Sequence, residues 1–150
     1  MGHNTKTKKE TIWIFKPGEG LLCEGKPGTY TNATANTDTL SLWPKNNTQT
    51  QTYVFDTDLS PYLGKGYLIK MVYKPNSTLI TNVRLLGGSY SSFYAHSGWY
   101  KQLGLPNNLP EELVIYCPLE DCITPIYPNL MVQYTPNGNN NMVIKGLCIL

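Results

Sequence analysis

The chain lacks both the long hydrophobic runs of membrane helices and the concentrated positive charge of nucleic-acid-binding surfaces. Among its 150 residues, Gly, Pro, Asn or Lys interrupts every apolar run, well before the ~18 residues that a spanning helix needs. The net charge is only +2, Arg84 is the single arginine, and the lysines concentrate only in the leader at the start. We therefore expect no membrane insertion and no nucleic-acid partner.

A secretory signal is also missing from the sequence. Such a signal places an apolar stretch of roughly 7 to 15 residues after positive charges, whereas here residues 11–15 form a short, strand-like apolar run. We expect no signal peptide.

The residues that catalysis or metal binding would need are scarce as well. His96 is the only histidine beyond the leader, and no Gly-x-Ser-x-Gly elbow accompanies it. Four residues separate Cys117 from Cys122, the other two cysteines lie far off in sequence, and paired Cys-x-x-Cys knuckles are absent. Gly64-Lys65-Gly66 precedes a predicted strand, whereas a phosphate loop precedes a helix. We predict a turn there, and no enzyme activity, metal or cofactor.

Disulfides are optional for a chain of this length. The four cysteines are Cys23, Cys117, Cys122 and Cys148. A chain of this size buries about two thirds of its unfolded surface without covalent staples. Because no export signal is visible, we expect reduced thiols packed as small hydrophobic side chains, and a Cys117–Cys122 bridge stays open.

The residues that are abundant favour strands and turns. The chain has 16 Thr, 14 Asn, 11 Tyr, 13 Gly and 11 Pro, and few of the helix formers Ala and Glu. Short apolar or β-branched runs recur roughly ten times between clusters of turn residues. The composition and this pattern predict an all-β fold.

Several segments carry specific predictions. Residues 66–74 alternate most clearly, which predicts a central strand. Pro75-Asn76-Ser77 predicts a hairpin turn back into a strand at 78–86, and residues 87–110, which have no sustained period, predict long loops with short strands. Residues 110–113, Pro-Glu-Glu-Leu, predict one helical turn. Further strands are predicted at residues 11–15, 39–43, 51–55, 113–117, 130–135 and 142–150.

The chain divides at residue 11. Residues 1–10 are a polar leader with too little apolar surface to offset the entropy of ordering, and residues 11–150 are predicted to form one domain. The apolar end at 142–150 is either an ordinary core strand or an edge strand that another subunit covers.

An aromatic and polar segment, residues 89–101, is the predicted binding surface. Its Tyr, Trp and Ser side chains combine flat apolar area with hydrogen-bonding tips, which suits protein interfaces and sugar recognition. Arg84 lies just before it and would bind a carboxylate such as that of sialic acid. Alternatively, these aromatic residues fill the ends of a β-sandwich. The predicted receptor-binding residues are Arg84, Tyr90, Ser91, Ser92, Tyr94, His96, Trp99 and Tyr100.

The junction Thr11-Ile12-Trp13 resembles the Thr-Leu-Trp-Thr motif that opens the head of adenovirus fibre proteins, with Ile14 in place of the second threonine. The resemblance implies an antiparallel β-sandwich with jelly-roll-like connectivity, a homotrimer, and attachment of a virion to a host-cell receptor, either a protein or a sialylated glycan. It also implies assembly in the host nucleus and a place on the virion surface. The leader would then be the stub of a fibre shaft or residues added for expression.

Three other classes stay open. A small jelly-roll capsid or coat protein would share the β content, although the leader carries too little positive charge to neutralise much of a genome. A phage or microbial lectin-like adhesin has the same sequence character. A β-sandwich glycan hydrolase is the third.

Overall fold

Twelve strands pair into two antiparallel sheets in a computed structural model of the protein, which describes residues 10–45, 49–80, 82–120 and 127–150. The side chains of residues 96–100 and 103 fall outside this description, as does the predicted leader apart from Glu10. The strands are β1 (Ile12–Lys16), β2 (Gly20–Leu21), β3 (Gly25–Pro27), β4 (Thr31–Ala35), β5 (Leu40–Pro44), β6 (Gln51–Asp58), β7 (Leu68–Pro75), β8 (Asn82–Gly88), β9 (Ala95–Leu103), β10 (Leu113–Pro118), β11 (Asn129–Thr135) and β12 (Met142–Ile149).

The larger sheet has seven strands in the order β10-β7-β12-β1-β2, and the smaller has five in the order β3-β6-β11-β8-β9. In the larger sheet, the first half of β12 pairs with β5, which carries β4, and the second half pairs with β1. The chain passes between the sheets at most connections, with hairpins at β1–β2, β4–β5 and β8–β9. The predicted antiparallel β-sandwich is confirmed.

The core lies between the two sheets and follows the period of two in the strands. Ile69, Met71 and Tyr73 of β7 are fully buried, as the alternation predicts, and β7 is central because β10 and β12 pair with its two edges. The opposing sheet contributes Leu130, Val132 and Tyr134 of β11. Burying each large apolar side chain contributes about 1.5–3 kcal/mol.

The apolar C-terminal segment is a central strand of the larger sheet. β12 pairs with β7 on one side and with β1 and β5 on the other, and the Leu150 N–H donates to the Leu68 carbonyl at 2.8 Å. The core-strand prediction is confirmed and the edge-strand alternative is wrong. Because β12 is already covered on both sides, the C-terminal segment gives no argument for a second subunit.

The hairpin predicted at Pro75-Asn76-Ser77 is wrong. β7 and β8 lie in different sheets, because both edges of β7 are already paired. The connection is an arch in which the Ser77 hydroxyl accepts the Leu79 N–H at 3.0 Å and Ile80 is buried in the core. The chain therefore crosses the sandwich where a tight turn was expected.

Two predictions for residues 87–113 are also corrected. The aperiodic stretch contains the nine-residue strand β9, which pairs with β8. Residues 110–113 form no helical turn: the chain bends at Glu111 and enters β10 at Leu113. At the bend, the Lys74 Nζ lies 2.9 Å from the Glu111 carboxylate, and the Lys145 Nζ donates to the Glu111 carbonyl at 3.1 Å, so contacts with neighbouring strands replace those of a helical turn.

Other short segments have simple outcomes. Gly64-Lys65-Gly66 forms the predicted turn, with positive φ at both glycines. Cys23, Cys117 and Cys148 are free thiols, and Cys122 lies outside the described residues. Across the described part of the chain, no helix is long and apolar enough to cross a membrane, and no cluster of His, Cys, Asp or Glu has the make-up of a metal site.

Candidate functional site

A groove of about 450 Å³ runs over the outer face of the larger sheet. Its volume lies within the ~300–1,000 Å³ typical of small-molecule sites. Strands β1, β7 and β12 and the turn between β4 and β5 supply most of the lining, which is mainly apolar with a few charged groups at the rim. The groove is therefore formed by segments that are far apart in sequence.

The groove has its floor at β12, where Gly146 has no side chain to fill the space above the sheet. Gly146 lies opposite Val72 of β7, and a Cβ built on Gly146 would be 3.6 Å from Pro17 Cγ and 3.8 Å from Val72 Cβ. Pairing with β7 shifts register between Ile144 and Gly146, so a bulge lets Lys145 also line the groove. A larger residue at 146 would fill this space.

Trp13 supplies the aromatic wall. It lies opposite Cys148, and a register shift between Trp13 and Phe15 turns both Ile14 and Phe15 into the core while the half-buried Trp13 lines the outer groove. An indole offers a flat apolar face together with one N–H donor. Pro17, in the turn after β1, extends this wall.

The β4–β5 turn fixes two polar residues at the rim. The Asn36 Oδ1 accepts the backbone N–H groups of Asp38 and Thr39, both at 2.8 Å, which is an Asx-type turn. Gly20, at φ +81, allows the β1–β2 hairpin to approach this turn, since a Cβ there would be 2.9 Å from the Asn36 carbonyl oxygen. The turn residues Asp38 and Thr39 therefore line the groove with little freedom.

The charges in the groove balance. Lys145 lies 3.9 Å from the Glu112 carboxylate, whereas Asp38 and Lys70 have no ion pair within the described ranges. Just outside, the hydrogen bond from Lys74 lowers the pKa of Glu111. Two acids and two lysines give strong hydrogen-bonding groups without a net charge.

Cys148 is a small, uncharged part of the floor. Burial raises the pKa of its thiol, and the positive charge of Lys70 opposes that shift only in part. The thiol is therefore protonated at neutral pH and behaves as a small hydrophobic group.

The sequence-predicted surface, residues 89–101, lies on the other sheet. Tyr90 and Phe93 pack on a small apolar cluster at the outer face of β6, β8 and β11, whose buried members are Val54, Leu86 and Met131. The Lys26 Nζ lies 4.5 Å from the Tyr90 ring centroid. Tyr90 thus packs on the outer face of the smaller sheet, not at an end of the sandwich.

The remaining predicted residues are spread along the same side of the molecule. Arg84 Nε donates to the Gln102 side chain at 2.9 Å, and the exposed Tyr94 stacks on Tyr127 at 5.9 Å between ring centroids. The hydroxyls of Ser91 and Ser92 bond to that of Ser89 within one turn. The backbones of His96, Trp99 and Tyr100 belong to β9, and their side chains lie outside the described residues.

The groove itself was missed by sequence reasoning. The sequence singles out Trp13 only as part of a three-residue motif, and Lys70 and Val72 only as members of the alternating run at residues 66–74. No local spacing connects Trp13, Asp38 and Gly146, which approach each other only through the pairing of β1, β12 and β5. The one usable signal was a tryptophan at an outward strand position.

The chain matches no protein-family model, and no curated protein matches its sequence. Solved structures of family 29 carbohydrate-binding modules are similar to it in fold. One in complex with mannohexaose has a TM-score of 0.61 at 12% identity, covering 95% of this chain and 92% of that chain. One in complex with cellulohexaose has a TM-score of 0.60 at 12% identity, covering 93% and 89%. A third, without a named ligand, has a TM-score of 0.58 at 12% identity, covering 93% and 86%.

These similarities overturn the resemblance to adenovirus fibre heads. The similar folds are carbohydrate-binding modules, and Thr11 directly precedes β1, an ordinary strand that begins at Ile12 and whose Trp13 lines a groove. The homotrimer and the virion-surface location were implied by that resemblance and lose this basis. The prediction of a binding module and not an enzyme agrees with the fold neighbours, which are binding modules by name.

Proposed function

We propose that this chain is a carbohydrate-binding domain that holds a neutral glycan in the groove on the outer face of the larger sheet. The observation that carries the proposal is the groove itself, with one aromatic wall, a glycine floor and balanced charges. The fold similarity to modules that bind mannohexaose and cellulohexaose supports it. This is the role of a lectin-like adhesin, one of the classes that the sequence left open.

Each part of the groove matches a part of a sugar ring. A pyranose has an apolar face of C–H groups that packs on an aromatic ring, and the Trp13 indole supplies that ring. Sugar hydroxyls both donate and accept, so they bond to carboxylates such as Asp38 and to ammonium groups such as Lys70. Gly146 has no side chain and the Cys148 thiol is small and uncharged, so these two residues leave room for a sugar ring between the polar groups.

The balance of charge favours neutral sugars over acidic ones. The lining has two lysines, Lys70 and Lys145, and two acids, Asp38 and Glu112, so it has no net positive charge to attract an anionic sugar such as sialic acid. Arg84, the residue predicted to bind sialic acid, lies on the other sheet and is bonded to Gln102. We therefore expect neutral hexose polymers to bind and sialylated glycans to bind weakly or not at all.

Substitution of Trp13 tests the site. A glycan array on the wild-type domain, followed by calorimetric titration with manno- and cello-oligosaccharides, identifies the ligand. Trp13→Ala is expected to weaken binding at least about tenfold, because an aromatic contact and its buried area are both lost. The matched control is Trp43→Ala, since Trp43 has the same half-buried state on the outer face of β5 but does not line the groove.

Substitution of the exposed Tyr94 tests the competing location of the site, on the smaller sheet. If Tyr94→Ala weakens glycan binding while folded Trp13→Ala binds like the wild type, the site lies on the smaller sheet at residues 89–101 and the groove assignment is wrong. If the wild type binds no glycan, the proposed function itself is wrong.

A further inference from the structure

A row of outward-facing residues leads from the groove to β10. Trp13 of β1 lies opposite Cys148 of β12, Cys148 lies opposite Lys70 of β7, and Lys70 lies opposite Tyr116 of β10. These four residues form one straight row across four neighbouring strands. The row begins and ends with an aromatic side chain.

A second row of small residues runs beside the first. Gly146 of β12 lies opposite Val72, and Val72 lies opposite Val114 of β10. None of these side chains is large enough to block the surface between Trp13 and Tyr116. A ligand that leaves the groove towards β10 therefore passes over small apolar side chains on this row.

Tyr116 is available for a ligand. Its neighbours Ile115 and Cys117 are buried in the core, whereas Tyr116 faces outward with 49% of its surface exposed. A large aromatic residue exposed to this extent contributes little to the core. Truncating it leaves the packing beneath β10 intact.

The separation of the two aromatic residues sets a length. Three spacings between neighbouring strands amount to roughly 14 Å, since each is about 4.8 Å. A single sugar ring cannot touch both Trp13 and Tyr116, so only an oligosaccharide that runs across the strands contacts both. Lys70 lies between them and has no ion pair among the described side chains, so its ammonium group can donate to hydroxyls of the intervening sugars.

We propose that Tyr116 is a second stacking platform, so that the domain binds an internal stretch of a neutral glycan chain laid across β1, β12, β7 and β10. This inference rests on the proposed function and adds a direction, a second contact residue and a minimum length. Affinity then rises with oligosaccharide length until the chain reaches Tyr116, and no further beyond it.

Titration of the full chain with manno- and cello-oligosaccharides, from the disaccharide to the hexaose, tests the proposal. For the wild type we expect a step in affinity within this series. For Tyr116→Ala we expect the step to disappear, with the longest oligosaccharide weakened about tenfold and the disaccharide unchanged. Tyr116→Phe keeps the ring and is expected to keep the step.

Tyr30→Ala is the matched control, because Tyr30 is a similarly exposed tyrosine, at 45%, that belongs to neither row and does not line the groove. Loss of the step in Tyr116→Ala alone supports the proposal. A wild type that binds with a length step that Tyr116→Ala retains overturns the proposal while leaving the glycan-binding function in place. A wild type that binds all lengths equally also overturns it, and one that binds neither series removes the proposed function as well.

Discussion

Two strand glycines, Gly146 and Gly88, lack a side chain for different physical reasons. At Gly146, which lines the groove, a Cβ would meet Pro17 and Val72 at ordinary van der Waals distances, so a methyl group fits there. At Gly88, a Cβ would be 2.5 Å from Met131 Cε and 2.9 Å from Met131 Cβ, so the space is already full. The first glycine shapes a site and the second allows close packing.

Substitutions at these glycines separate binding from stability. Gly146→Ala is expected to change the free energy of unfolding by no more than ~1 kcal/mol, and Gly146→Leu is expected to fill the groove and weaken glycan binding at least about tenfold. Gly88→Ala is expected to cost about 1–3 kcal/mol through overpacking without changing affinity. Denaturant unfolding and calorimetric titration measure both quantities, and a Gly146→Leu domain that binds like the wild type would contradict the groove assignment.

At the scale of single strands, the sequence predicts what is local. The alternation of residues 66–74 identifies β7 and its inward face, because side-chain direction in a strand is set by the backbone alone. β9 escaped prediction because its strand character comes from pairing with β8, and its sequence of Ala, His, Ser, Gly and Trp has no apolar period.

The connections between strands were harder to predict than the strands. Pro75-Asn76-Ser77 has the composition of a tight turn, yet β7 and β8 separate because β10 and β12 occupy both edges of β7. Which strands pair depends on contacts between residues far apart in sequence, and turn residues are compatible with an arch as well as with a hairpin. The groove, which depends on those pairings, is equally invisible to local patterns.

At the scale of the whole molecule, buried tyrosines make the stability of the fold depend on pH. Burial raises the pKa of Tyr53 and Tyr73 to about 12 and also raises that of Tyr134. The Tyr73 hydroxyl has no hydrogen-bond partner in the described part of the chain, whereas the Tyr134 hydroxyl donates to the Asn140 carbonyl at 2.8 Å. The core therefore favours the neutral phenols.

This arrangement predicts a loss of stability at alkaline pH. Unfolded tyrosines ionise at a pKa of ~10, so the stability is fully present below that pH and falls as the pH rises towards 12, where the folded phenols titrate. Tyr73→Phe is expected to be as stable as the wild type at neutral pH, or up to ~1 kcal/mol more stable, and to lose less at high pH. Urea unfolding across a pH series checks this, and a Tyr73→Phe domain that is weakened at neutral pH would show that the hydroxyl is bonded.

The central claim is that a glycan occupies the outer face of the larger sheet. The most direct measurement is a nitrogen–proton correlation spectrum of the labelled domain during titration with mannohexaose or cellohexaose. We predict that the Trp13 indole signal and the backbone amides of Val72, Gly146 and Cys148 shift in a saturable way, while those of β8 and β11 stay in place. Shifts confined to the smaller sheet, or no shifts at saturating concentrations of either sugar, would contradict the claim.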